Sequence, residues 1–136
     1  MSPQLILLVE DDLNLRQSIA LILERAGYIV DATDCPYKAM DLINSRKYNL
    51  LISDINIPET RKMLLQNVLG IYPYISIFVL TDQASERPNG EDRLLSAQYL
   101  VKPIAPERLL DCVGMILEQK KNINNNTIGN RPLNPN

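Results

Sequence analysis

Histidine is absent from the 136-residue chain, which excludes imidazole zinc sites, Ser-His catalytic triads and a phosphohistidine carried by this polypeptide itself. Tryptophan is absent too, phenylalanine occurs once, and there are only 2 cysteines. Cys35 and Cys112 stand far apart in no CxxC pattern, so neither a thiolate metal site nor a dense disulfide framework is available, and a cytoplasmic location is expected. Basic residues are not in surplus: 14 Lys and Arg stand against 16 Asp and Glu, which argues against direct nucleic-acid binding. Long apolar runs are missing as well. The run 5–9 is too short for a signal-peptide core and has no basic flank, and no segment reaches the roughly 18 apolar residues of a membrane span. What remains is 46% hydrophobic and 22% charged, the composition of an ordinary globular domain with one core.

Short apolar runs alternate with longer amphipathic stretches. Residues 5–9 read as a strand, and Leu15, Ile19, Ile22 and Ala26 follow at helical spacing until Gly27. A second strand is predicted over 28–32, then a helix opened by Asp34 and Pro36 with Met40 and Ile43 inward. Residues 50–53 form a third strand, Leu64, Val68 and Ile71 mark a third helix ended by Pro73, and 75–80 is an apolar run, with Ser76 as its one polar residue, expected of a strand buried on both faces. The turn signal Pro88-Asn89-Gly90 leaves at most a short helix over 91–97, before a short strand at 99–101. Pro106 starts a last helix with Leu109, Val113 and Ile116 inward, ending near Lys120 and Lys121. Five strand-helix units imply parallel pairing, because parallel neighbours need a crossover, and hence a three-layer α/β sandwich. Residues 1–121 make the domain; the Asn-rich stretch 122–136 is expected to be a disordered tail or a truncated linker.

In open α/β sheets ligands bind beyond the carboxyl ends of the strands. The residues there are Glu10, Asp11 and Asp12 after the first strand, Asp54 after the third, Thr81 after the fourth and Lys102 after the fifth. If the first and third strands are neighbours, about 5 Å apart, Asp11 and Asp54 converge and concentrate negative charge. Clustered carboxylates without His or Cys suit a hard, oxygen-seeking ion such as Mg²⁺. Plainer readings exist for each residue alone: Asp11 or Asp12 can cap the first helix, Asp54 can form a turn, and Thr81 and Lys102 can be simple strand ends.

Taken together and in order, Leu7-Leu8-Val9-Glu10-Asp11-Asp12, the run from Leu51 through Asp54 to Asn56 and Pro58, Val79-Leu80-Thr81 and Tyr99-Leu100-Val101-Lys102-Pro103 resemble the receiver domain of two-component response regulators. The resemblance spans roughly residues 4–121. It implies a flavodoxin-like fold with sheet order 2-1-3-4-5. It further implies that Asp54 is the phosphoacceptor, that Asp11 and Asp54 ligate Mg²⁺ directly with Glu10 acting through water and the main-chain carbonyl of Asn56 completing the set, and that Lys102 pairs with a phosphoryl oxygen. Thr81 and Tyr99 are implied as a switch coupling the acceptor to a surface. The implied partners are a sensor histidine kinase or phosphotransfer protein and a downstream protein or output domain, with homodimerisation possible in the family, and the domain is regulatory rather than an enzyme.

This chain departs from the family pattern in three places. Glu59-Thr60-Arg61-Lys62 replaces the usual glycine-containing turn, Asp82 stands where a small residue is usual, and Arg87-Pro88-Asn89-Gly90 shortens the fourth helix. Asp82 adds bulk and negative charge at the mouth of the site, so the alternative function is a degenerate receiver that binds partners without phosphorylation. A phosphatase of the haloacid-dehalogenase type would need a second acid where Asn56 stands. Flavin or nucleotide binding lacks any glycine-rich phosphate loop.

Overall fold

A computed structural model describes residues 3–54, 58–82 and 97–128. The elements are β1 (Leu5–Glu10), α1 (Leu13–Arg25), β2 (Ile29–Thr33), α2 (Pro36–Ser45), β3 (Leu50–Asp54), α3 (Pro58–Ile71), β4 (Ser76–Thr81), β5 (Ala97–Val101) and α4 (Pro106–Ile128). All strand pairs are parallel, and the sheet order is β2-β1-β3-β4-β5. This is the flavodoxin-like three-layer arrangement expected from the sequence. The expected short helix over 91–97 lies outside the described residues except for Ala97, which opens β5.

Strand alternation splits the apolar side chains into two cores. Leu7, Val9, Leu51, Ile77 and Val79 pack on one face with Ala39 and Ile43 of α2 and Leu64, Leu65 and Val68 of α3. Ile6, Leu8, Leu50, Ile52, Phe78 and Leu80 pack on the other with Ile19 and Leu23 of α1 and Leu109, Val113 and Leu117 of α4. Each such side chain taken fully from water stabilises the fold by about 1.5–3 kcal/mol. The central strands carry this burial on both faces, which is why they read as largely apolar runs rather than alternating ones.

The connections explain how the strand ends are aimed. Asp12 is the N-cap of α1: its carboxylate accepts the Leu15 N–H at 2.9 Å, so the capping reading holds for Asp12. At the other end Gly27, with φ +101, turns the chain out of α1, and its N–H donates to the Glu24 carbonyl at 3.0 Å. Asn49 fixes the start of β1 from both sides, its side-chain oxygen accepting the Leu5 N–H at 2.8 Å while its own N–H donates to the Leu5 carbonyl at 2.8 Å.

Several boundaries and faces differ from the sequence reading. Strand β2 starts one residue later than expected because Tyr28 still belongs to the turn, its N–H donating to the Leu23 carbonyl. Ile71, expected inward, is 40% exposed at the end of α3, whereas Leu65 is buried beside Leu64 and Val68. In the final helix Leu117 is buried, and Ile116, expected inward, is partly buried against the same core. That helix does not end near Lys121 but continues to Ile128, the residue before Gly129, which is the first strong helix breaker in this stretch. The helix thus runs through 122–128, within the stretch where a tail or linker is expected, and residues 129–136 lie outside the described ones.

Candidate functional site

The carboxyl ends of β1, β3, β4 and β5 meet at one rim. The register sets Glu10 directly opposite Asp54, so the buried pair across β1 and β3 is Glu10 with Asp54, while Asp11 lies one residue beyond the strand and is exposed. Glu10 is 1% and Asp54 0% exposed, on the same sheet face as Leu8 and Ile52. Thr81 is buried at the end of β4, in register with Val101, and the Lys102 N–H donates to its carbonyl at 2.7 Å. Tyr99 stands opposite Val79 and packs against the α2 and α3 core, the face that Thr81 shares by strand alternation.

Charge arrangement at this rim is unusual for a protein interior. The Lys102 ammonium forms an ion pair with Asp54 Oδ2, and its side chain is 18% exposed. No hydrogen bond from a described residue reaches Glu10 Oε1 or Asp54 Oδ1. Unpartnered buried carboxylate oxygens carry a large desolvation penalty. Burial first, then the neighbouring Asp54 carboxylate with a smaller push from Asp11, raise the Glu10 carboxyl from 4.5 to about 9, against the opposing pull of the Asp12 N–H. That N–H donates to Glu10 Oε2 at 3.0 Å. For Lys102, burial works to lower the ammonium, but Asp54 more than reverses it, with Glu10 and Asp82 adding, so its pKa is raised.

Two carboxylates with unpartnered oxygens and one exposed neighbour, Asp11, fit a hard cation. Among the described residues no group of three His, Cys, Asp or Glu side chains is placed to hold an ion alone. Mg²⁺ requires less than that, because it keeps several waters and binds through one or two carboxylates. The main-chain carbonyl of Asn56, expected from the resemblance to complete the set, lies outside the described residues.

Two neighbours were not singled out in the sequence. Arg16, one turn into α1, donates from Nη1 to the Glu10 carbonyl at 2.8 Å and ties the helix to the strand end. Its signal was a basic residue one helical turn after Asp12. Ser53 Oγ is fully buried with no hydrogen-bond partner among the described residues, between Val9 and Val79 in the register. Its signal was a hydroxyl inside an otherwise apolar strand.

The family model described as the response regulator receiver domain matches residues 6–114. The chain belongs to the response regulator receiver family. Every candidate residue of the receiver, from Glu10 to Lys102, lies within the matched span. The receiver is 34% identical over 110 residues to the response regulator protein FleR of Pseudomonas aeruginosa, covering 79% of this chain and 23% of that protein. To the response regulator MprA of Mycobacterium tuberculosis it is 33% identical over 119 residues, covering 85% of this chain and 51% of that one. The chain thus spans about half or less of the length of these two relatives. Among solved structures, the chemotaxis response regulator CheY4 of Vibrio cholerae superposes with a TM-score of 0.75 at 26% identity, covering 85% of this chain and 99% of that one. Receivers are signalling domains rather than enzymes in the ordinary sense. No helix among the described residues is long and apolar enough to cross a membrane.

Proposed function

We propose that this receiver accepts a phosphoryl group on Asp54 from the phosphohistidine of a partner protein, a sensor histidine kinase or phosphotransfer protein, in the cytoplasm, and passes the signal on through a protein contact. The observation that carries this reading is the Asp54 carboxylate: fully buried at the end of a central strand, beside a second buried carboxylate, and paired with the lysine that follows β5, two strands away in the sheet. As in any aspartyl phosphorylation, an Asp54 oxygen attacks phosphorus, the P–O bond forms as the P–N bond to the donor imidazole breaks, and the imidazole leaves with the electron pair and takes up a proton.

This chain's own residues have separable parts in that transfer. Asp54 presents its nucleophilic oxygen in a site where burial excludes competing water. Lys102, already at Asp54 Oδ2, moves its charge to a phosphoryl oxygen once the aspartate has become an acyl phosphate. Glu10, Asp11, Asp54 and the main-chain carbonyl of Asn56 are the groups that would hold Mg²⁺. When bound, the ion neutralises charge on the transferring group and aligns it for attack. Thr81 hydrogen-bonds the phosphoryl group, and Tyr99, on the same sheet face, repacks with it and carries the change to the surface formed around β5.

The test is intact mass after incubation with Mg²⁺ and phosphoramidate. A gain of one phosphoryl group, lost in Asp54→Asn and lost with EDTA, is the expected result. No gain under any condition would sink the acceptor role and favour a receiver that binds partners unphosphorylated, the reading to which Asp82, 3.7 Å from Lys102, lends support.

A further inference from the structure

Asp82 follows Thr81 directly at the carboxyl end of β4, with its side chain 60% exposed and one oxygen 3.7 Å from Lys102 Nζ. The same ammonium pairs with buried Asp54, so Lys102 stands between an inner and an outer carboxylate. Asp82 and Lys102 also form the polar rim of a cavity of about 490 Å³ between α1 and α4, whose walls are apolar side chains such as Leu15, Ile19, Leu80 and Leu109. Apolar walls keep water and counter-ions from one side of the rim, so a fixed charge there acts over a longer distance than it would in open solvent.

We propose that Asp82 determines the donor specificity of the acceptor site, holding off small free phosphoryl donors that carry two negative charges and admitting donors whose own cationic groups neutralise it. This rests on Asp54 being the acceptor. The transfer itself is unchanged: a P–O bond to Asp54 forms while phosphorus parts from the donor's oxygen or nitrogen, which leaves with the electron pair as acetate from acetyl phosphate or, once protonated, as ammonia from phosphoramidate. What Asp82 alters is the approach. A donor must carry its charge past the outer carboxylate and draw Lys102 away from both acids before the phosphoryl oxygens gain a cation. A protein donor meets that requirement with a lysine or arginine set beside its phosphohistidine. Acetyl phosphate brings no such group, and its dianion is repelled about twice as strongly as the singly charged phosphoramidate.

The experiment compares initial rates of phosphoryl incorporation, by intact mass of the full chain with Mg²⁺, for the unchanged protein, Asp82→Asn, Asp82→Ala and Asp54→Asn. Each is run with acetyl phosphate and with phosphoramidate, at low and at moderate salt. Asp82→Asn keeps the shape and removes the charge, and should raise the acetyl phosphate rate roughly five- to tenfold and the phosphoramidate rate roughly two- to threefold. Salt should raise the acetyl phosphate rate of the unchanged protein and leave that of Asp82→Asn without a rise. Equal rates for the unchanged protein and Asp82→Asn, with Asp54 labelled in both, would overturn the proposal and leave the acceptor role standing. A gain confined to Asp82→Ala would overturn it too, assigning the effect to bulk. Silence of every variant with both donors, or labelling that survives in Asp54→Asn, would overturn the acceptor role and this proposal together.

Discussion

The strand interiors and the carboxyl rim of the same sheet are equally dry and chemically opposite. Leu7, Leu8, Leu51, Ile52, Ile77 and Phe78 are 0% exposed, and so, to within about 1%, are Glu10, Ser53, Asp54 and Thr81. Removing the first group from water stabilises the fold, whereas removing the second costs free energy unless each polar atom is met by a partner. Glu10 Oε1 and Asp54 Oδ1 are not so met by any described residue. One strand thus changes, within two or three residues, from holding the molecule together to opposing its folding. A rim of this kind is retained only where the opposing residues have chemistry to perform.

The contrast can be broken from the interior or sharpened at the rim. The largest stability effect belongs to the interior. Ile52→Ala, in the middle of β3 and fully buried, should lower unfolding free energy by about 4 kcal/mol, read as a fall in the urea midpoint at unchanged slope. At the rim the sign reverses. Between pH 4.5 and about 9 the unfolded chain has released the Glu10 proton while the folded, metal-free chain retains it. Unfolding therefore releases a proton in that interval, so this group's stabilising contribution is complete below pH 4.5 and is lost as pH rises toward about 9. Glu10→Gln should flatten that decline and leave the metal-free protein more stable than the unchanged one at pH 8, by thermal unfolding in EDTA. A rise in the stability of the unchanged protein over the same interval, with Glu10→Gln showing no difference, would contradict the assignment. The smallest effect lies just past the rim, where Asp12→Ala removes the α1 cap and should cost about 1 kcal/mol while leaving Glu10 in place.

The same contrast explains what could be read without a structure. The interior was legible because strands buried on both faces are apolar at nearly every position, as 5–9, 50–53 and 75–80 are but for Ser53 and Ser76. The rim residues were legible as residue types at strand ends, and Asp54, Thr81 and Lys102 stand where that reading put them. Which acid faces Asp54 was not legible, because a one-residue difference in where β1 stops exchanges Glu10 for Asp11, and only the β1-β3 register decides it. Helix ends were less legible. Ile71 satisfies the helical period yet is 40% exposed at the last position of α3, while Ile116 packs partly buried against the core beside the buried Leu117. The Lys102–Asp82 contact was half visible: the acid was conspicuous after Thr81, but its distance to a lysine twenty residues later depends on the β4-β5 pairing.

Strand β2 closes one side of the sheet, and an outer strand offers its free backbone groups to any second chain that comes alongside. Ile29, 43% exposed, would favour such an encounter. Asp31 opposes it. Its Oδ2 accepts from Arg46 Nη1 and from the Tyr48 hydroxyl, both at 2.6 Å, and burial followed by that hydrogen bond holds the Tyr48 phenol protonated above its ordinary range. A chain laid against β2 would have to bury or dismantle this charged clasp, so growth of the sheet from one molecule into the next is disfavoured at the strand where it would otherwise begin. One edge of the sheet is thereby guarded by an aspartate that takes no part in the acceptor site.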